Sequence, residues 1–123
     1  MSLIEEKSFA FAVRVIETAK EMRSTHKEYD LTSQFVRSGT SVGANVCEAT
    51  KAQSRKDFIA KMSIASKEAN EVRYWIRLLK QTGYISEERG KELTGLAEEL
   101  IRILTSIVKS SQEKNSQLKI HNS

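Results

Sequence analysis

From Phe58 to Leu79 the apolar residues recur at intervals alternating between four and three: Phe58, Met62, Ala65, Ala69, Val72, Ile76 and Leu79. This is an unbroken heptad seam, the pattern a helix needs to lie along a partner helix. A second seam, Leu93, Leu96, Leu100, Leu104 and Ile107, follows a break at Gly83. The chain has 123 residues, no proline and five glycines. That composition leaves long helices uninterrupted and supplies few of the turns an all-β protein needs. The length suits one domain with one core.

The remaining helices can be placed from caps and periodicity. Helix one is expected from Leu3 to His26, opened by Ser2 and Glu5 at capping-box spacing. Its core stripe reads as Phe9, Ala12, Val13, Ile16 and Ala19, with Phe11, Val15 and Met22 on an adjacent stripe. Together the stripes span roughly 200° of the helix, more than the ~100° one core needs, so a second partner is expected there. Helix two reads from Leu31 to Gln53 with Asp30 as its N-cap. Ser54 opens helix three, with Asp57 at the capping-box position and Gly83 as the stop. Ile64, Trp75 and Leu78 flank its seam. Ser86 caps helix four, where Glu87 and Glu88 favour the positive helix end. Helices joined by short turns predict an all-α, up-down-up-down antiparallel four-helix bundle over residues 1–110. Residues 111–123, polar and nearly aperiodic, read as a frayed helix end or a mobile tail.

Helix two is unusual for a buried amphipathic helix. Its run from Gln34 to Ala49 contains Gly39 and Gly43, one turn apart, together with serines, threonine and asparagine. Glycine disfavours a helix by about 1 kcal/mol relative to alanine, so something beyond local propensity selects these residues. A missing side chain beside the apolar seam permits close helix approach, and Gly43→Leu is expected to disrupt packing. Arg37, Ser41, Asn45 and Glu48 share the polar face, and Glu68 and Glu71 lie on helix three. These six are expected to form a buried polar network that fixes structure. A binding pocket is the other reading of the group. A buried charge left without its partner costs roughly 3–5 kcal/mol, so Arg37→Ala is expected to destabilise strongly.

The chemistry of an enzyme is hard to assemble from this chain. The two histidines, His26 and His121, sit at a helix end and in the tail, so the Glu-x-x-His pair of a di-metal bundle is missing. G-T-S-V-G lies inside a helix pattern and lacks the P-loop lysine. Ser38 and Ser41 have no histidine nearby in sequence, and helix-interior serines are usually structural. No catalytic, cofactor-binding or metal-ligating residue is therefore assigned, and no cofactor is expected. Cys47 is the only cysteine, which rules out an intrachain disulfide; it reads as a small buried hydrophobe. The start, M-S-L-I-E-E-K, lacks the regions of a signal peptide, and no apolar run approaches the ~20 residues of a membrane span. A soluble cytoplasmic protein without a membrane partner is expected.

The run R-S-G-T-S-V-G-A-N-V-C-E-A, Arg37 to Ala49, resembles the R-S-x-[TS]-S-[IV]-x-x-N-[IV]-x-E-[AG] signature of bacterial four-helix bundle proteins. These are related to the intervening-sequence proteins encoded within 23S ribosomal RNA genes. Asp57 to Ile76, D-F-I-A-K-M-S-I-A-S-K-E-A-N-E-V-R-Y-W-I, is similar to that family's D-F-x-x-K-x-x-x-A-x-K-E-A-x-E-T-x-Y-W-[IL]. The likeness spans Phe9 to about Ile107, with Val72 where threonine is common and Cys47 at a variable position. The resemblance implies an up-down bundle that assembles as a ring, commonly a homopentamer, with no known enzymatic activity. Retroelement accessory proteins of the same fold bind nucleic acid and a reverse transcriptase through a basic surface.

Charge adds one more expectation. The net charge is +4, from 20 lysines and arginines against 16 acids, and the pI is about 9.3. This permits contact with nucleic acid, although a solvated helical surface also accounts for it. Lys51, Arg55 and Lys56 surround the second turn, and Arg73, Arg77 and Lys80 lie along one side of late helix three, near Lys20, Arg23 and Lys27 if neighbours are antiparallel. With no exposed aromatic platform evident, contact would be with RNA or DNA phosphates and largely independent of sequence. The leading expectation is a non-enzymatic oligomer that associates with RNA or a ribonucleoprotein. The alternative is a structural oligomer acting through a protein partner, a reverse transcriptase or a ribosomal component. An enzyme or small-ligand protein built on Arg37, Asn45, Glu48, Glu68 and Glu71 ranks third.

Overall fold

The computed structural model describes residues 1–122, with side chains for residues 1–118. Four helices follow in order: α1 (Leu3–His26), α2 (Asp30–Ala49), α3 (Arg55–Gln81) and α4 (Glu87–Asn122). The turns between them are short, residues 27–29, 50–54 and 82–86. Each helix packs on the next, and α4 returns to α1, while among the described residues the backbones of the diagonal pairs stay apart. The result is the antiparallel four-helix bundle that the two seams require. The helix ends have local causes. At α1 the Ser2 hydroxyl accepts from the Glu5 N–H and the Glu5 carboxylate accepts from the Ser2 N–H, a complete capping box. Ser54 caps α3 through the Asp57 N–H at 3.0 Å, and Ser86 caps α4 through the Arg89 N–H at 3.0 Å.

Gly83 ends α3 with φ +82°, the left-handed conformation that glycine adopts without strain. Its N–H donates to the Lys80 carbonyl and the Tyr84 N–H to the Leu79 carbonyl. This is a Schellman closure, which satisfies carbonyls the helix end would otherwise orphan.

The α3 seam is buried as its spacing predicts, apart from half-buried Phe58. Leu93, Leu100 and Leu104 of α4 face it, with Leu96 and Ile107 half-buried at the edge. Phe35, Val42, Val46 and Ala49 supply the α2 wall.

Three sequence expectations need correction. On α1 the core stripe is Ile4, Ser8, Phe11, Val15, Thr18, Ala19 and Met22, whereas Phe9 (67% exposed), Val13 (44%) and Ile16 (37%) face outward. Both stripes are apolar, and the α2 contact decides between them: a Cβ on Gly39 would lie 2.8 Å from both Val15 methyl carbons. The two helices therefore approach most closely at Gly39. At Gly43 a Cβ would meet the Ser8 carbonyl at 3.4 Å, an ordinary contact. Second, α2 ends at Ala49 and is capped by Glu28 rather than Asp30; the Glu28 carboxylate accepts from the N–H groups of Leu31 and Thr32, each at 3.0 Å. Third, Cys47 is exposed, since it follows Val46 by 100° and so turns away from the core. Of the two readings of residues past Ser110, helix rather than tail describes the backbone, since α4 continues to Asn122.

Candidate nucleic-acid interface

The polar stripe of α2 is explained largely by its own helix. Ser38 donates to the Gln34 carbonyl, Thr40 to Val36, Ser41 to Arg37 and the Asn45 amide to Ser41. Each polar side chain thereby satisfies itself one turn back, and none is poised as a nucleophile. The six residues expected as one network separate into three groups. Arg37 forks across to α3, reaching Glu71 at 2.6 Å and Glu68 at 3.3 Å. Ser41 and Asn45 bond only to backbone, and Glu48 pairs with Lys61 at 3.1 Å.

Burial sets the worth of the Arg37 group. The Arg37 side chain is 50% exposed and Glu71 33%, whereas Glu68 is 12% exposed. The network is thus a surface ion pair with one covered member. Its expected contribution is about 1 kcal/mol or less, not that of a buried charge. Burial, reinforced by the neighbouring Glu71 carboxylate, pushes Glu68 up. The Arg37 guanidinium holds Glu71 below the usual carboxylate range. The Trp75 indole N–H is buried beside Glu71, outside good hydrogen-bond geometry but adding a small further pull in the same direction. Among the described residues no group of three or more His, Cys, Asp or Glu side chains is placed to hold a metal ion.

The basic residues are arranged differently. Arg14, Arg37, Arg89, Lys7 and Lys61 are all tied to glutamates. Lys51, Arg55, Lys56, Arg73, Arg77 and Lys80 form no ion pair among the described residues. The structure divides them into two sites. Lys51, Arg55 and Lys56 are exposed around the α2–α3 turn. Arg73, Arg77 and Lys80 stand at the other end of α3, about 33 Å away along the helix axis from Arg55 to Arg77. There they line a groove of about 570 Å³ between α3 and α4, completed by Asn70, Tyr74, Thr94 and Glu98. Lys20, Arg23 and Lys27 would stand near this site only if α1 were an antiparallel neighbour of α3, whereas α1 lies diagonal to α3 and its backbone runs beside α2 and α4.

Tyr74 was missed. It is 58% exposed and lines the groove, so an aromatic surface does stand among the cations. The signal lay in the spacing: Asn70, Arg73, Tyr74 and Arg77 fall at i, i+3, i+4 and i+7, one face of a helix.

A second surface is apolar. Phe9, Ala12, Gly43, Ala44 and Cys47 line a groove of about 370 Å³ between α1 and α2, with the exposed Val13 and Ile16 continuing along α1. Among the described residues no helix is long and apolar enough to cross a membrane.

Fold and surfaces together define a four-helix bundle protein with one apolar flank and a separate cationic groove. The profile of the 23S rRNA-intervening sequence protein family matches residues 2–106, and the chain belongs to that family. A crystal structure of a protein with unknown function from the S23 ribosomal protein family of Bacteroides thetaiotaomicron is 45% identical. It aligns over 87% of this chain and 99% of that one, with a TM-score of 0.85. No match was found among curated proteins.

Proposed function

We propose that this chain is a non-enzymatic, cytoplasmic, oligomeric bundle that associates with RNA or a ribonucleoprotein through its basic surface. The observation that carries the reading is the set of cations without carboxylate partners, Arg73, Arg77 and Lys80, gathered along one groove. Cations already neutralised by glutamate have little to offer a phosphate, whereas these three do. The family description refers to 23S rRNA and the Bacteroides relative to a ribosomal protein family, which supports the same direction. Assembly rests on the apolar flank, where Phe9, Val13 and Ile16 are exposed. The family resemblance makes a homopentamer the leading stoichiometry. Such a ring multiplies the net charge of +4 fivefold and repeats each weak phosphate site.

The apolar groove at Phe9 and Gly43 favours a second reading, a structural oligomer acting through a protein partner without touching nucleic acid. A salt titration of the intact protein against structured RNA and duplex DNA separates the two. Binding that weakens steeply with salt and shows little base preference is expected from phosphate contacts. An oligomer that retains neither nucleic acid even at low salt rejects the first reading in favour of the second.

A further inference from the structure

The α3–α4 groove differs from a plain phosphate-binding patch because it contains an aromatic ring. We propose that it holds an unpaired single strand of RNA, with Tyr74 stacking on a base while Arg73, Arg77 and Lys80 bind the flanking phosphates; this rests on the RNA-associating reading above. Tyr74 is 58% exposed and lines the groove together with Arg73, Arg77 and Lys80. Behind it Trp75 makes an edge-on contact at 5.2 Å and 72°, which braces the tyrosine. Arg73 is braced too, donating to the Asn70 side chain at 3.1 Å. A ring fixed among cations is the arrangement by which single strands are held, because each base has a π-face and each linkage a phosphate. In a duplex the base faces are stacked on one another, and Tyr74 would have nothing to bind.

The groove also has the continuity a strand needs. Beyond Asn70 the same side of the α3–α4 pair carries a further depression of about 250 Å³, lined by Ser63, Ser66, Thr105 and Lys109 among others. Hydroxyls and a cation thus extend the track along the helix pair. Among the described residues Glu98 is the one acid lining either stretch, and it sits on the α4 wall across from the basic edge.

The test uses the intact protein, an unstructured oligouridylate of about 12 nucleotides, and duplex RNA of the same length. The single strand is expected to bind more tightly than the duplex. Tyr74→Ala should weaken it about tenfold, and Tyr74→Phe should leave it within about twofold. Stacking involves no counterion, so Tyr74→Ala should not change the salt dependence. The triple variant Arg73→Gln, Arg77→Gln, Lys80→Gln should instead lower the log–log salt slope by about two, near 0.7 per phosphate contact on a single strand. Trp75 is the only tryptophan, so the single strand should also perturb intrinsic fluorescence in the unmodified protein, which needs no variant to fold. If RNA binds but Tyr74→Ala binds like the parent, or duplex and single strand bind equally, or fluorescence does not respond, the stacking site is wrong while RNA association stands. If neither RNA binds at low salt, the underlying reading itself fails.

Discussion

At the scale of single residues, the two glycines of α2 are not equivalent. A Cβ at Gly39 would press both Val15 methyls at 2.8 Å, and Val15 is fully buried and β-branched, so it cannot swing away. Gly39→Ala should therefore cost about 1–2 kcal/mol, an overpacking penalty reduced by alanine's better helix propensity. Gly43→Ala, with its nearest neighbour at 3.4 Å, should be near neutral. Denaturant melts of the two variants decide the point, and equal losses would show that the close approach is not where these distances put it. Other buried polar residues are settled locally. Thr18 donates to the Arg14 carbonyl at 2.8 Å and receives the Arg89 guanidinium at 2.7 Å, so its burial leaves nothing unsatisfied.

At the scale of the helix, α2 depends on a carboxylate outside it. Glu28 accepts from two backbone N–H groups and from the Thr32 hydroxyl. Although burial works against its charge, these hydrogen bonds together hold it below the ordinary value of 4.5. A carboxylate depressed in the folded state binds its proton more weakly there than in the unfolded chain. Its stabilising effect is complete above about 4.5 and fades as pH falls through the depressed value. Glu28→Ala should cost about 1 kcal/mol near neutral pH, as losing an N-cap does. The gap to the parent protein should close on acidification. Thermal melts of both proteins across that range measure it, and a gap that persists in acid would assign the loss to something other than the charge. This cap was not legible in the sequence, because Asp30, a better N-cap type, stood nearer the apolar run. The seams of α3 and α4 were legible, since each keeps an unbroken apolar register. On α1 Phe9–Val13–Ile16 and Phe11–Val15–Met22 are equally apolar, and only the glycine across the interface selects between them. For the candidate site, the cations were legible as spacing, but their freedom from glutamate partners and the company of Tyr74 needed the third dimension.

At the scale of the whole molecule, the outward α1 stripe is the feature a lone bundle does not use. The intact protein should sediment as an oligomer at micromolar concentration. Val13→Glu, placing a charge on a side chain that is 44% exposed and outside the core, should dissociate it without loss of helix content. A parent protein that sediments as a monomer would refute the assembly role of this flank. A different consequence follows from how the bundle closes. Three of its helix pairs are neighbours in the chain, joined by turns of a few residues, and form at little cost in chain entropy. The fourth joins the first helix to the last, and Lys7–Glu99, Arg14–Glu92 and Arg89–Glu21 run along that seam. Contacts so distant in sequence are the expected latecomers of folding. Once made, they tie the first helix to the last and close the barrel.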